Sequence, residues 1–317
     1  MKNVNRIFPS SPAGLSRQTS LFHASMRMLG IWILAARPKT LWAAVSPVMI
    51  GTAMAYESGA AAWLPALAAL FGSVMIQIGT NFANDYFDYK KGADAHNRLG
   101  PMRVTQAGLV RPGTMKLATA IAFSLACVAG IYLVWRAGWP IVVIGVLSVL
   151  SGILYTAGPY PLGYHGLGDI FVLIFFGPVA VGGTYYVQSL NIEAVVLLAG
   201  LAPGLFSVAI LTVNNLRDID GDQAIGKKTL AVRFGRTFAR IEYLLSILVA
   251  SSIPILLYIQ TRQHPFSLLT MVVPFAAFPA IQKVFTSHDG PTFNSVLAAT
   301  GKLLLLYSFI FSLGWLL

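Results

Sequence analysis

Charge is scarce in this chain. Lys, Arg, Asp and Glu make up 10% of its 317 residues, where a soluble domain carries roughly 25%. Acids are scarcest: 11 Asp and Glu stand against 22 Lys and Arg, for a net charge of +11. The single cysteine, Cys127, excludes an intrachain disulfide and a cysteine-based metal cluster; in its apolar run it is expected to be a packed core thiol. A continuous apolar core with a small-residue cleavage site, as a secretory signal requires, is not evident near the start. What is abundant is apolar surface: 56% hydrophobic residues and a mean hydropathy of +0.71. A basic chain can in principle attract nucleic acid, but hydropathy this high excludes that partner. The composition is that of a polytopic membrane protein whose partner is the lipid bilayer.

A spanning helix needs about 20 apolar residues. Nine stretches qualify, approximately Leu41–Tyr56, Trp63–Ala83, Leu117–Trp135, Pro140–Ala157, Asp169–Val187, Glu193–Val213, Ile241–Ile259, Phe266–Val284 and Phe293–Leu317. Pro47, Gly72, Pro178, Pro203, Pro254 and Pro274 inside them are tolerated where neighbouring helices resupply hydrogen bonds. The expectation is an all-α bundle of about nine transmembrane helices. Residues 1–36 form a cytoplasmic extension ending in an amphipathic approach helix on the membrane surface, and residues 37–317 form the transmembrane domain. Positive charge collects in alternate connectors. Lys90, Lys91, Arg98, Arg103, Arg111 and Lys116 follow the second span; Arg217, Lys227, Lys228, Arg233, Arg236 and Arg240 follow the sixth. The opposite connectors hold little beyond Arg136 and Arg262. The positive-inside rule then places the N-terminus in the cytoplasm and the C-terminus outside, and Glu57 reads as an outer-face charge.

Two polar motifs interrupt this pattern. Asn81, Asn84, Asp85 and Asp88 stand three and four residues apart at the end of the second span, so on a helix they share a face. The sixth span ends in Asn214-Asn215-Leu216-Arg217-Asp218-Ile219-Asp220-Gly221-Asp222, where Asn214, Asp218 and Asp222 repeat a four-residue spacing. Each motif follows an apolar run and leads into a basic, glycine-containing loop. The parallel suggests two halves, spans two to five and six to nine, facing one site. Acids beside a span are costly and usually functional. An EF-hand is excluded, because positions six and twelve of such a loop would be Gln223 and Thr229 rather than Gly and Glu. Oxygen clusters suit a hard cation, and Mg²⁺ in particular is bound through one or two carboxylates shared with substrate phosphates. Two such clusters with Lys91, Arg103, Arg217, Lys227 and Lys228 beside them make a clamp for a diphosphate leaving group.

A third polar stretch, Tyr155 to Asp169, follows the fourth span and is rich in turn formers. Its tyrosines either shield an allylic cation through their faces or form an interfacial aromatic belt. Asp169 is a helix cap, a site residue, or both. His165 reads as structural, and Lys302, inside the ninth span, either snorkels or pairs with an acid.

These residues resemble the UbiA superfamily of intramembrane aromatic prenyltransferases. Asn84-Asp85-Tyr86-Phe87-Asp88 is similar to that family's first motif, Asp218 to Asp222 to its second, and Tyr155-Thr156 with Pro161 to its connector between spans four and five. Within the superfamily, Arg37-Pro38-Lys39-Thr40, the run from Asn81 to Asp94, Gly100 to Gly108 and Gly226 to Arg233 look most like the dihydroxynaphthoate branch. The third acid departs from the wider pattern: Gly92 stands four residues after Asp88, and the acid is Asp94. The resemblance implies a central cavity capped by the two cytoplasmic loops. It implies Mg²⁺ held by Asn84, Asp88, Asp218 and Asp222, with Asp94 as a further candidate ligand. Polyprenyl diphosphate would ionise there, and an aromatic acceptor, 1,4-dihydroxy-2-naphthoate, would attack with loss of CO₂ to give demethylmenaquinone. The catalytic set so implied is Asp85, Asp88, Asp218, Asp222 and Tyr155, with Asp85 orienting Lys or Arg. Substrate would be bound by Asn81, Lys91, Arg103, Arg217, Lys227, Lys228 and Tyr160. Such an enzyme would lie in the bacterial inner membrane with its site towards the cytoplasm. The competing acceptors are 4-hydroxybenzoate or a haem vinyl group. The competing class is a cation-coupled transporter, but transporter sites sit near the bilayer midplane, and here the acids gather at one face beside basic loops.

Overall fold

A computed structural model describes residues 28–92, 99–100 and 102–317. Among the described residues the chain is helical throughout, with no strand. Helix α1 covers residues 28–36. It is followed by α2 (Pro38–Glu57), α3 (Trp63–Lys91), α4 (Pro112–Ala137), α5 (Trp139–Leu154), α6 (Gly168–Ile174), α7 (Ala180–Ser189), α8 (Ala194–Arg217), α9 (Ile219–Ala224), α10 (Leu230–Thr261), α11 (Val273–Thr286) and α12 (Gly290–Leu316). Seven of the nine expected stretches each fall on a single helix, whereas Asp169–Val187 covers α6, a π turn and α7, and Phe266–Val284 covers a 3₁₀ segment and α11. Among the described residues seven segments are long and apolar enough to cross a membrane: α3, α4, α6 with α7, α8, α10, the 3₁₀ turn Pro265–Val272 with α11, and α12. Of the remaining two, α2 has 20 residues but is less apolar, and α5 has 16. At 1.5 Å per residue α5 is about 24 Å long, short of a hydrocarbon core of about 30 Å.

The bundle is organised by long helix pairs: α3 along α4 and α8 along α10, each antiparallel across a connector at the acidic-motif end, and α2 along α12, which run parallel, Lys39 lying beside Gly301 and Glu57 near Trp315 through His264. The largest buried cluster lies between α2, α8, α10 and α12, around Ile50, Phe206, Tyr243, Tyr307 and Phe311. Helix α1 docks as an approach element. Trp32 meets the edge of Phe82 at 5.6 Å between ring centroids, and Ala35 is buried with Phe82, Val104 and Met115. Arg37, in the left-handed region at φ 53°, turns the chain from α1 into α2.

The fifth spanning segment is broken in the middle. Residues Phe175–Val179 form a π turn, and Gly177 (φ −106°, ψ −114°) leaves helical geometry beside Pro178. Two glycines of α8 allow this bend to pack closely. A Cβ on Gly200 would stand 2.8 Å from Pro178 Cα, and one on Gly204 would stand 2.5 Å from the Leu173 carbonyl oxygen. Cys127 is exposed rather than packed. An apolar run does not reveal which face of α4 looks outward, and its neighbours Leu125 and Val128 share that outer face. At the end of the bundle remote from the acidic motifs, Glu57 lies 3.8 Å from His264, whose ring stacks on Trp315.

Candidate active site

Helix α3 runs past the expected end of the span and carries the whole first motif to Lys91. It stops because Gly92 adopts the left-handed conformation (φ 62°) that glycine accepts without strain. Along the motif the side chains divide by task. Asn81 is buried and donates to the Ala36 carbonyl (2.9 Å) and to Thr40 Oγ1 (3.2 Å), tying α3 to α1 and α2. Asp85, also buried, accepts from the backbone N–H groups of Val104 and Thr105, both at 3.1 Å. It therefore pins the basic loop after α3 rather than orienting a lysine or arginine. That loop in turn delivers Arg103, which pairs with Asp88 and donates to the Asn84 carbonyl at 2.8 Å.

The second motif is not one helical face. Helix α8 ends at Arg217, Asp218 sits at the junction (φ −95°, ψ 7°), and Asp222 lies in the short α9. Aspartate favours such junctions because its side chain competes with helical backbone bonding. The buried Arg217 guanidinium is fully engaged: Nε and Nη2 hold the two Asp218 oxygens (2.8 and 2.6 Å), Nη2 also reaches Asn214 Oδ1 (2.6 Å), and Nη1 reaches Asn294 Oδ1 (2.8 Å). Asn294 belongs to α12 and donates onward to the Leu99 carbonyl at 3.0 Å. Lys227 holds both oxygens of Asp222 at 3.1 and 3.0 Å.

The stretch between α5 and α6 joins the two motifs. Thr156 Oγ1 donates to Asn84 Oδ1, and Lys91 Nζ to the Thr156 carbonyl, both at 2.5 Å. The Tyr164 ring lies 4.6 Å from Lys91 Nζ and 5.9 Å from Lys227 Nζ, and its carbonyl accepts from the Lys228 N–H at 2.8 Å. One tyrosine thus stands between the cations of both halves. The Tyr155 hydroxyl is within electrostatic reach of Asp169, Asp222 and Asp88. Beneath it, an apolar cavity of about 240 Å³ runs between α2 and α7, past Thr80, Gln77, Phe175 and Gly145 to Leu133, Ile141 and Val187. The cavity lies directly below the charged cluster, Tyr155 and Thr80 lining its upper end.

Sequence comparison fits this geometry. The model of the UbiA prenyltransferase family matches residues 44–315. The chain belongs to that family. A 1,4-dihydroxy-2-naphthoate octaprenyltransferase of Escherichia coli K12 is 37% identical over 291 residues, covering 89% of this chain and 94% of that one. One of Mycobacterium tuberculosis is 36% identical, covering 87% and 94%. Among solved structures, a UbiA homologue from Archaeoglobus fulgidus bound to GPP and Mg²⁺ superposes with a TM-score of 0.66 at 13% identity, covering 90% of this chain and 99% of that one. A homologue from Aeropyrum pernix K1 gives 0.66 at 13%, covering 88% and 97%. At this identity the structural likeness is one of fold.

In this UbiA-family chain, Asn84, Asp88, Lys91, Arg103, Tyr155, Arg217, Asp218, Asp222 and Lys227 gather at one end of the bundle. Tyr160 stands apart: it is 60% exposed and stacks on His165. Lys228 is anchored through its backbone, its carbonyl accepting from Arg233 at 3.1 Å. Asp94 lies outside the described residues. Tyr164 and Asn294 were not singled out from the sequence; Tyr164 lies in the recognised turn-rich stretch with Thr156, whereas nothing local marks Asn294. Glu242 of α10 was also missed. It accepts from Thr212 at 3.2 Å and lies within electrostatic reach of Asp169, whose Oδ1 is buried without a hydrogen bond. Three carboxylates (Asp88, Asp218, Asp222) face four cations (Lys91, Arg103, Arg217, Lys227), while the two oxygens of Asp85 accept from backbone N–H groups. Among the described residues no three acidic, histidine or cysteine side chains converge on a point that could hold a metal ion. Asn84, Asp88, Asp218 and Asp222 offer hard oxygen donors, the donor chemistry that Mg²⁺ takes together with substrate phosphates.

Proposed function

We propose that the protein transfers a polyprenyl group from polyprenyl diphosphate to 1,4-dihydroxy-2-naphthoate, with loss of diphosphate and CO₂, giving demethylmenaquinone in its reduced, quinol form. The observation that carries this reading is the neutralised, two-motif acid cluster placed directly over an apolar cavity, in a family of prenyltransferases. The naphthoate acceptor rests on the relatives named for that acceptor.

In this reading Lys91, Arg103 and Lys227 receive the diphosphate. Asn84, Asp88, Asp218 and Asp222 are the residues that would hold Mg²⁺. When bound, the ion neutralises charge developing on the leaving diphosphate. The allylic C–O bond breaks and the diphosphate departs with the electron pair. The cation left on the isoprenoid lies below Tyr155, shielded from water by the turn-rich loop. The ring carbon bearing the carboxylate attacks it, and the pair from the departing CO₂ restores the ring. Arg217 holds Asp218 in place, and Asp85 holds the loop that carries Arg103. The site faces the cytoplasm of a bacterial inner membrane, where both substrates' charged ends are accessible.

The test is purified protein in lipid with an allylic polyprenyl diphosphate and Mg²⁺, offered dihydroxynaphthoate and 4-hydroxybenzoate in parallel. Prenylated naphthoquinol, read as the naphthoquinone it forms on air oxidation during extraction, with no hydroxybenzoate product supports the proposal. Product only from hydroxybenzoate keeps the mechanism and changes the acceptor. No aromatic product, with substrate-driven ion flux in vesicles, would favour transport instead.

A further inference from the structure

A second, separate groove of about 240 Å³ lies between α11 and α12, on the lipid-facing side of the bundle. Its walls are apolar and mostly small: Ala276, Pro279, Ala280, Ala299, Leu303 and Leu306. Its only charged lining groups are Lys283 and Lys302. Among the described residues neither lysine has a hydrogen bond or an ion pair. Lys302 follows Gly301, whose position faces the Lys39 carbonyl in the first turn of α2, so it stands on the outer face of α12 towards the acidic-motif end of the bundle. An ammonium group among apolar groove walls there needs an anion or a route to water.

The geometry supplies the direction. Side chains on a helix tilt towards its N-terminus. The N-terminal end of α12 is the end that carries Asn294, bonded to Arg217, so it lies at the acidic-motif end of the bundle. Lys302 therefore leans towards Lys283, in the last turn of α11 at that same end. Beyond the groove the surface is plain lipid-facing hydrocarbon: Phe275, Phe278 and Phe309 are all more than half exposed. A ligand for this place must be anionic at one end and apolar along its length.

We propose that the α11–α12 groove binds an anionic phospholipid, its phosphate between the Lys283 and Lys302 ammonium groups and one acyl chain along Ala276, Ala280, Ala299 and Leu306. Basic pockets between transmembrane helices have the chemistry for such headgroups. This site shares no residue with the acid cluster, so it stands whatever that cluster's acceptor proves to be.

The test is native mass spectrometry of the full chain in detergent, titrated with phosphatidylglycerol or with phosphatidylcholine of the same acyl chains. Wild type is expected to hold one phosphatidylglycerol in preference to phosphatidylcholine. With about 1 kcal/mol per lysine near a lipid headgroup, the Lys283→Gln/Lys302→Gln variant is expected to bind it about 30-fold more weakly. A control with the same charge change elsewhere, Lys116→Gln/Arg262→Gln, is expected to match wild type. Ala299→Phe fills the groove while keeping both ammonium groups and is expected to lose the lipid as well. Equal retention by wild type and the double lysine variant would overturn the proposal, as would equal binding of phosphatidylcholine. Lysine-dependent binding of inorganic phosphate with no lipid preference would replace the lipid with a free anion.

Discussion

Replacing Arg217 by lysine conserves charge and should still be severely damaging. The guanidinium makes four short bonds from a buried position, two to Asp218 and one each to Asn214 and Asn294. An ammonium is a point donor on a flexible stem and cannot reproduce the fork. Meeting Asp218 would cost it the two asparagines, so at least two of the four bonds are lost. Hydrogen bonds to a charged group are worth about 1.5–3 kcal/mol each. The Asp218 side chain is 18% exposed, and water recovers part of the loss, so about 3 kcal/mol is the expected net. At roughly 2–4 °C per kcal/mol for chains of 150–250 residues, the thermal midpoint in detergent should fall by about 6–12 °C, read by tryptophan fluorescence. Turnover should fall with it, because Asp218 is then held at one point instead of by a two-pronged fork tied to Asn214 and Asn294, and Asn294→Ala should reproduce a smaller part of both effects. An Arg217→Lys midpoint within about 1 °C of wild type would refute the reasoning.

Gly145 faces the apolar cavity with open space around its missing Cβ. Gly145→Phe should therefore leave folding intact while selectively lowering turnover of long-chain donors relative to a five- or ten-carbon donor in a competition assay. Gly200→Ala, by contrast, drives a Cβ into the backbone of Gly177 and Pro178, which cannot yield. It should cost about 1–3 kcal/mol, visible as a lower thermal midpoint. At the start of α12, the backbone N–H of Thr292 donates to Asp289 Oδ1 (2.8 Å) and holds that carboxyl below its usual range. A carboxylate depressed in the folded state stabilises above its unfolded pKa near 4 and loses that contribution as pH falls through the lower folded value. The midpoint difference between wild type and Asp289→Ala should accordingly be full at pH 7 and shrink below pH 4.

The spanning helices and both acidic motifs were legible because their signals are local. Apolar runs of bilayer length and acids at four-residue spacing need no tertiary information. Interruptions and partners were less so. The pattern Asn214, Asp218, Asp222 reads as one face only if the helix continues, and it breaks at Asp218, where Arg217 draws the side chain onto its fork. Pro178 was recognised as tolerable, but the π turn around Gly177 depends on the glycines of α8 lying opposite. Asn294 stands 77 residues from the arginine it binds, and Glu242 meets Thr212 only because α8 and α10 run side by side. Asp85 illustrates the same limit. It was singled out by its place in the motif, but the backbone N–H groups it holds, 19 and 20 residues on, could not be read from spacing.

The central claim is that the two acidic motifs act together on one diphosphate. Its most direct test is Mg²⁺-dependent release of diphosphate and prenylated naphthoquinol by wild type, Asp88→Ala and Asp218→Ala, each first shown to be inserted and folded by its thermal midpoint. The expected result is Mg²⁺-dependent turnover by wild type and none by either variant. Near-normal turnover in both variants, or wild-type turnover indifferent to removal of Mg²⁺ by a chelator, would contradict the account.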